Sequence, residues 1–125
     1  MKNKLNVLLV DDSELIISHL KNMLSNVNGI TIAGSAGTLP TAQQMVKNHA
    51  IDAIVLDIQL PDGNGIDFSK WVRFTNPKIT VIMLSNQADE CHRAAARMAG
   101  AKYFFDKSHE FQQVSVVLSQ LADKL

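Results

Sequence analysis

The sequence predicts an α/β domain whose parallel sheet is covered on both faces by helices, and three observations carry that prediction. Short apolar runs rich in branched residues read as buried strands, and longer segments between them carry apolar residues at helical spacing. Strand and helix alternate strictly through five units. With 125 residues the chain has the size of one compact domain, so residues 1–125 are expected to form a single unit with its own core.

The first strand is expected over residues 5–10 and ends at Asp11-Asp12-Ser13. Leu15, Ile16, His19, Leu20, Met23, Leu24 and Val27 then mark a helix, with Ser13 or Asp12 as its N-cap and Asn28-Gly29 as its stop. Residues 30–36 form the second strand, and Thr38 can cap a helix running to about His49, with Pro40 tolerated in its first turn. The third strand, 53–56, ends on Asp57 and leads into a loop over 58–65 whose Pro61-Asp62-Gly63-Asn64-Gly65 is strong turn chemistry. A third helix reaches about Thr75, where Asn76-Pro77 breaks it. The fourth strand, 79–84, ends on Ser85, and an alanine-rich helix over 88–99 is closed by Gly100. A short strand over 101–105 leads to Asp106-Lys107, and a last helix from about His109 to Ala122 places Phe111, Val114, Val117, Leu118 and Leu121 on one side.

Composition excludes several classes of function. Hydrophobic residues make up 46% and charged residues 19%, an ordinary globular balance rather than a disordered one. Twelve Lys and Arg against twelve Asp and Glu leave no sequence-wide basic field, so direct nucleic-acid binding is not expected. No apolar run approaches the ~20 residues that cross a bilayer, so no membrane association is expected. Residues 1–4 are polar and run straight into a strand without a signal-peptide hydrophobic region. Cys91 is the single cysteine, which suits a reducing compartment, and the expected location is the cytoplasm.

In an open parallel sheet, ligands bind outside the carboxyl ends of the strands. Those ends carry Asp11 and Asp12, Asp57, Ser85 and Lys107. Carboxylates brought together there repel by ~4 kcal/mol per pair at ~4 Å and an effective dielectric of ~20, so a cation is required. Hard oxygen ligands without Cys or His favour Mg²⁺ over Zn²⁺. A carboxylate flanked by Mg²⁺, a hydroxyl and an ammonium group is equipped to attack a phosphoryl group and hold its equatorial oxygens. Each residue alone has a local explanation: Asp12 as a helix cap, Asp57 as a turn residue, Lys107 as a solvated lysine. Their joint placement, each at the end of its own strand, favours the phospho-aspartate reading. His19, His49, His92 and His109 lack metal-ligand spacing, Met45, Met83 and Met98 are expected to fill packing gaps, and Trp71 is expected to pack on the third helix.

Val10-Asp11-Asp12-Ser13, the segment from Leu56 to Gly65, Leu84-Ser85-Asn86 and the segment from Tyr103 to Lys107 together resemble the response-regulator receiver family over essentially the whole chain. The resemblance implies a flavodoxin-like, doubly wound (βα)5 fold with a five-stranded parallel sheet of order 2-1-3-4-5. It implies that Asp57 accepts a phosphoryl group from a sensor histidine kinase or phosphotransfer protein. Asp12 and Asp57 would bind Mg²⁺ with the backbone carbonyl of Gln59, and Asp11 would help through water. Ser85 and Lys107 would contact the phosphoryl oxygens, and Tyr103 would occupy the aromatic switch position. Output would pass through the face of the fourth helix, fifth strand and fifth helix to a protein target, to an output domain outside this sequence, or into a phosphorylation-dependent dimer. Two residues depart from the family pattern: Ser108 stands where proline, joined by a cis bond, usually follows the lysine, and Asn86 stands where Ala or Gly usually follows the hydroxyl residue.

Three rival functions are weaker. An aspartate-nucleophile phosphatase needs a second Asp two residues after the nucleophile, and Gln59 stands there, so a switch is expected rather than a turnover enzyme. A flavin- or nucleotide-binding domain needs a glycine-rich first loop, whereas Asp11-Asp12-Ser13-Glu14 would repel a pyrophosphate. A degenerate receiver would lack acidic or lysine positions, and all are present.

Overall fold

The computed structural model describes residues 4–125; of the polar start, residues 1–3 lie outside the described residues. Seven strands and five helices follow in the order β1 (Leu5–Val10), α1 (Glu14–Leu24), β2 (Ile30–Ala36), α2 (Leu39–Asn48), β3 (Ala53–Leu56), β4 (Gln59–Leu60), β5 (Gly63–Asn64), α3 (Gly65–Thr75), β6 (Thr80–Ser85), α4 (Glu90–Met98), β7 (Tyr103–Asp106) and α5 (Gln113–Asp123). The main sheet has the order β2-β1-β3-β6-β7 with every pairing parallel. Because β6 and β7 are its fourth and fifth strands, this is the doubly wound 2-1-3-4-5 order that the family resemblance implies.

Strand alternation sorts the core onto two faces. Leu8, Val10, Ile54, Leu56, Val81 and Met83 pack under α2, α3 and α4, where Ala42, Val46, Phe68, Val72 and Ala96 meet them. Val7, Leu9, Val55, Ile82 and Leu84 face the other way, against Leu20 and Leu24 of α1 and Val114, Val117 and Leu118 of α5. Both faces of the central strands are therefore dry, which is why their sequences run almost without polar interruption.

Helix ends follow local chemistry. Ser13 caps α1, its hydroxyl accepting from Ile16 N at 3.2 Å. Thr38 stands at the N-cap of α2 but bonds to Thr41, and the Leu39 amide donates instead to both carboxylate oxygens of Asp62, at 3.2 and 3.3 Å. Helix α4 begins two residues later than expected because Asp89 caps it, accepting from His92 N at 3.0 Å. It ends at Gly100, whose φ of +96° is open to glycine at little cost. The expected start of the last helix at His109 moves to Gln113, because Asp106 accepts from Ser108 N and Glu110 accepts from Asp106 N, folding the connection into turns. The expected loop over 58–65 contains a small antiparallel pair, Gln59 opposite Asn64. Met83 is buried and Met45 packs at the core edge, but Met98 is 78% exposed and fills no gap.

Candidate functional site

The ladder of the main sheet runs one residue past its strands and so fixes the loops beyond them. Asp11 N donates to Ala36 O at 3.0 Å, Asp57 N to Val10 O at 3.0 Å, and Lys107 N to Ser85 O at 3.1 Å. Asp11 and Asp57 thus leave neighbouring strands side by side, and Lys107 reaches across from the sheet edge. Its Nζ lies 2.6 Å from Asp11 Oδ2 and 2.9 Å from Asp57 Oδ2. The remaining oxygens are held by backbone: Asp11 Oδ1 accepts from Ser13 N at 2.9 Å, and Asp57 Oδ1 from Ile58 N at 2.7 Å. Asp11 is 4% and Asp57 8% exposed, yet both line a cavity of about 430 Å³ with Asp12, Gln59, Asn86 and Lys107. A larger cavity of about 600 Å³ opens on the other side of Asp11 and Asp12, between α1 and β2, but it reaches neither Asp57 nor Lys107.

Gly65 makes the turn after Asp57 possible. Its N–H donates to Ile58 O at 2.6 Å, and a Cβ built there would fall on the Asp57 carbonyl oxygen. The hairpin of β4 and β5 is thereby folded back over the strand end, which sets where the Gln59 backbone stands.

Burial raises the pKa of Asp11, and the hydrogen bonds from Lys107 and Ser13 only partly offset it. For Lys107 burial works against the charge, but its hydrogen bonds to Asp11 and Asp57 outweigh it and lift the pKa above the ordinary lysine value. The ammonium group is therefore held in its charged form between two carboxylates, an ion triad at the wall of the cavity.

Oxygens of Asp11, Asp12 and Asp57 all lie within 4.8 Å of one another, making a set that could hold a metal ion among the described residues. Asp12 is exposed and points its charge at the cavity rather than into the Lys107 bridge. A hard, oxygen-liganded divalent cation suits these donors, with space left for waters. Mg²⁺ fits the residues present.

Ser85 and the aromatic residue of β7 behave differently. Ser85 is buried, and its hydroxyl accepts from Gln87 N at 3.1 Å; Asn86, not Ser85, lines the cavity. The resemblance assigns the aromatic switch position to Tyr103, but the structure places Tyr103 on the face opposite to Ser85. Register pairs Ile82 with Tyr103 and Met83 with Phe104, so Tyr103 falls with Ile82 on the α1/α5 side, its ring stacked on Phe105 at 6.2 Å. Phe104 shares the Ser85 and Met83 face instead. Counting alternate residues from Ser85 across the pairing register is the signal that finds Phe104. The described residues contain no cis peptide, so Lys107-Ser108 is trans.

A family model for the response regulator receiver domain matches residues 7–119. Among curated proteins, the chain is 27% identical to the response regulator UvrY of Escherichia coli over 88% of its length and 50% of UvrY. It is 29% identical to the transcriptional regulatory protein MalR of Bacillus subtilis over 96% of its length and 51% of MalR. The chain thus spans about half the length of these relatives. Among solved structures, the response regulator domain of Thermotoga maritima CheB superposes with a TM-score of 0.83 at 28% identity, covering 97% of this chain and 95% of that one. The receiver domain of NarL from Mycobacterium tuberculosis gives 0.87 at 22% identity over 97% and 98%, which attests the fold. With the doubly wound sheet and the acidic corner at its strand ends, these matches establish that the chain belongs to the response regulator receiver domain family of two-component signalling.

Proposed function

We propose that Asp57 accepts a phosphoryl group, in a Mg²⁺-dependent transfer from the phosphohistidine of a sensor histidine kinase or phosphotransfer protein, and that the α4, β7 and α5 face reports the change. The observation that carries this reading is the Lys107 ammonium held at 2.6 and 2.9 Å between Asp11 and Asp57 beside an open acidic cavity. In the transfer a carboxylate oxygen of Asp57 forms the new O–P bond as the N–P bond of the donor breaks and the imidazole leaves. Lys107 follows the developing charge on the phosphoryl oxygens, and backbone donation from Ile58 N holds the other Asp57 oxygen in place. Mg²⁺, when bound, offsets negative charge on those oxygens; Asp12, Asp57 and the Gln59 backbone carbonyl would hold it, with Asp11 acting through water.

Ser85 donates to a phosphoryl oxygen once one is present. Its loop moves toward Asp57, and Phe104, on the same face, serves as the switch aromatic. Gln59 offers an amide without acid–base capacity near the phosphorus, which supports a switch rather than a turnover enzyme. The receiver occupies residues 1–125 as one domain. A cytoplasmic kinase partner, and either a separate protein target, an output domain outside this sequence or a second copy of the chain, complete the pathway.

The test is intact mass after incubation with Mg²⁺ and a small acyl phosphate. The parent gains one phosphate and Asp57→Ala gains none, while Asp12→Ala weakens Mg²⁺ binding by calorimetry. A phosphate retained on Asp57→Ala overturns the assignment of the acceptor.

A further inference from the structure

The guanidinium of Arg93, in the first turns of α4, is half-buried and makes four contacts to three separate segments. Its Nε donates to Ala88 O at 2.8 Å, its Nη1 to Phe104 O at 3.3 Å, and its Nη2 to Glu110 Oε1 at 3.2 Å. Its Cζ stands 4.9 Å from the centre of the Phe104 ring. Ala88 lies on the loop that follows Ser85, Phe104 is the β7 aromatic on the Ser85 face, and Glu110 lies on the turn that follows Lys107. Glu110 is anchored in turn: its Oε1 also accepts from Asp106 N at 3.0 Å, and its own N–H donates to Asp106 O at 2.8 Å. One side chain therefore ties both loops that carry site residues to the aromatic between them.

We propose that Arg93 is a positioning residue that latches the Ser85 loop, Phe104 and α4 in the arrangement of the unphosphorylated protein. This rests on the phosphoacceptor reading of Asp57. In the latched arrangement Ser85 does not line the cavity, its hydroxyl engaged by Gln87 N, while Ala88, three residues beyond Ser85 and the next after Gln87, is pinned by Arg93 Nε. Drawing Ser85 toward a phosphoryl group displaces the Ala88 carbonyl from Nε, and any turn of the Phe104 ring strips the cation from its face. The latch thus opposes activation, and its contacts are differential: they exist in one state and are lost in the other, as a coupling device requires.

Arg93 is not an ordinary surface pair. Its partner carboxylate is fixed by a backbone donor, Asp106 N, and the planar fork uses three separate nitrogens, a geometry that lysine cannot reproduce. Glu110 responds accordingly: donation from Asp106 N first, and from Arg93 second, holds its carboxyl below the ordinary glutamate range.

The experiment measures the affinity of Mg²⁺ with beryllium trifluoride, a phosphoryl mimic, for the parent, Arg93→Lys and Glu110→Gln, alongside the melting temperature of each without ligand. Glu110→Gln keeps an oxygen for Asp106 N while removing the charge that Arg93 meets. Both variants are expected to melt lower without ligand and yet bind the mimic about fivefold more tightly, since the bound state no longer has to break the latch. A role confined to stability would lower the melting temperature and leave affinity unchanged or weaker, and that outcome overturns the latch. If the parent itself fails to bind the mimic, the phosphoacceptor reading falls and takes the latch with it; if the parent binds but the variants bind no tighter, the latch alone falls.

Discussion

The acidic corner and helix α4 are held in opposite ways. At the corner, Asp11, Asp57 and Lys107 grow directly out of the sheet ladder, their side chains bond to one another and to backbone, and their neighbours are the dry residues of β1 and β3. Helix α4 fully buries only Ala96, whereas α3 buries Phe68 and Val72 and α5 buries Val114, Val117 and Leu118. Its ties to the rest are largely polar: Arg93 to β7 and Glu110, and Ser69 Oγ to Ala99 O at 3.0 Å. Apolar burial of a large side chain contributes about 1.5–3 kcal/mol and resists relocation, while a half-exposed hydrogen bond contributes about 0.5–1.5 kcal/mol and can be exchanged for another. The proposed phosphoryl switch calls for a rigid place for chemistry and a movable element to report it, and the difference in how these regions are held is consistent with both.

The comparison breaks most severely at Gly65. Gly65→Ala should push the turn off the Asp57 carbonyl, lowering stability by about 3 kcal/mol in urea denaturation and slowing phosphorylation of Asp57. A variant as stable as the parent would show that the corner is less tightly built than the geometry indicates.

A smaller effect, of opposite sign, is expected at Asp11. Its folded pKa is raised, so the native state holds the proton more tightly than the unfolded chain. The contribution of Asp11 to stability therefore falls as pH rises from its ordinary value of 3.8 through the folded value. Asp11→Asn should raise stability in metal-free buffer at pH 7 by about 1 kcal/mol while weakening Mg²⁺ binding. The gain should shrink on acidification, as the parent carboxyl takes up its proton. A loss of stability at pH 7 would instead make the Lys107 bridge the dominant influence on Asp11.

The smallest effect sharpens the other side. Met98 on α4 is exposed, so Met98→Ala should change stability by no more than about 0.5 kcal/mol, measured by thermal melting. A larger loss would mean that α4 is fastened by more than Ala96 and its polar ties.

Much of this was legible in the sequence because the strand ends are marked twice, once by the end of an apolar run and once by a charged or hydroxyl residue. Asp11, Asp57, Ser85 and Lys107 were placed at strand ends that way, and so were the five units, while the sheet order came from the family resemblance. The hairpin after Asp57 was hidden, since two-residue strands are shorter than any periodicity window. Starts of α4 and α5 shifted because Asp89 and the Asp106 to Glu110 turns compete locally with the helix, a contest settled by hydrogen bonds rather than by pattern. Tyr103 was misplaced for a different reason: one strand alone gives alternation but not which phase faces Ser85, and only pairing with β6 decides between Tyr103 and Phe104. Arg93 carried no sequence signal at all, because its partners lie 5, 11 and 17 residues along the chain.

The Asp62 cap on α2 joins two parts of the chain that lie 23 residues apart. Leu39 is held there by its amide, and its side chain also packs on Gly63, leaving no room for a Cβ at that glycine. The first turn of α2 is therefore tied to the hairpin beyond Asp57 through both its backbone and a side chain. Exchange of the Leu39 amide with deuterated solvent then reports on whether Asp62 is in place, which makes one backbone proton outside the cavity a local probe of the loop that carries Gln59.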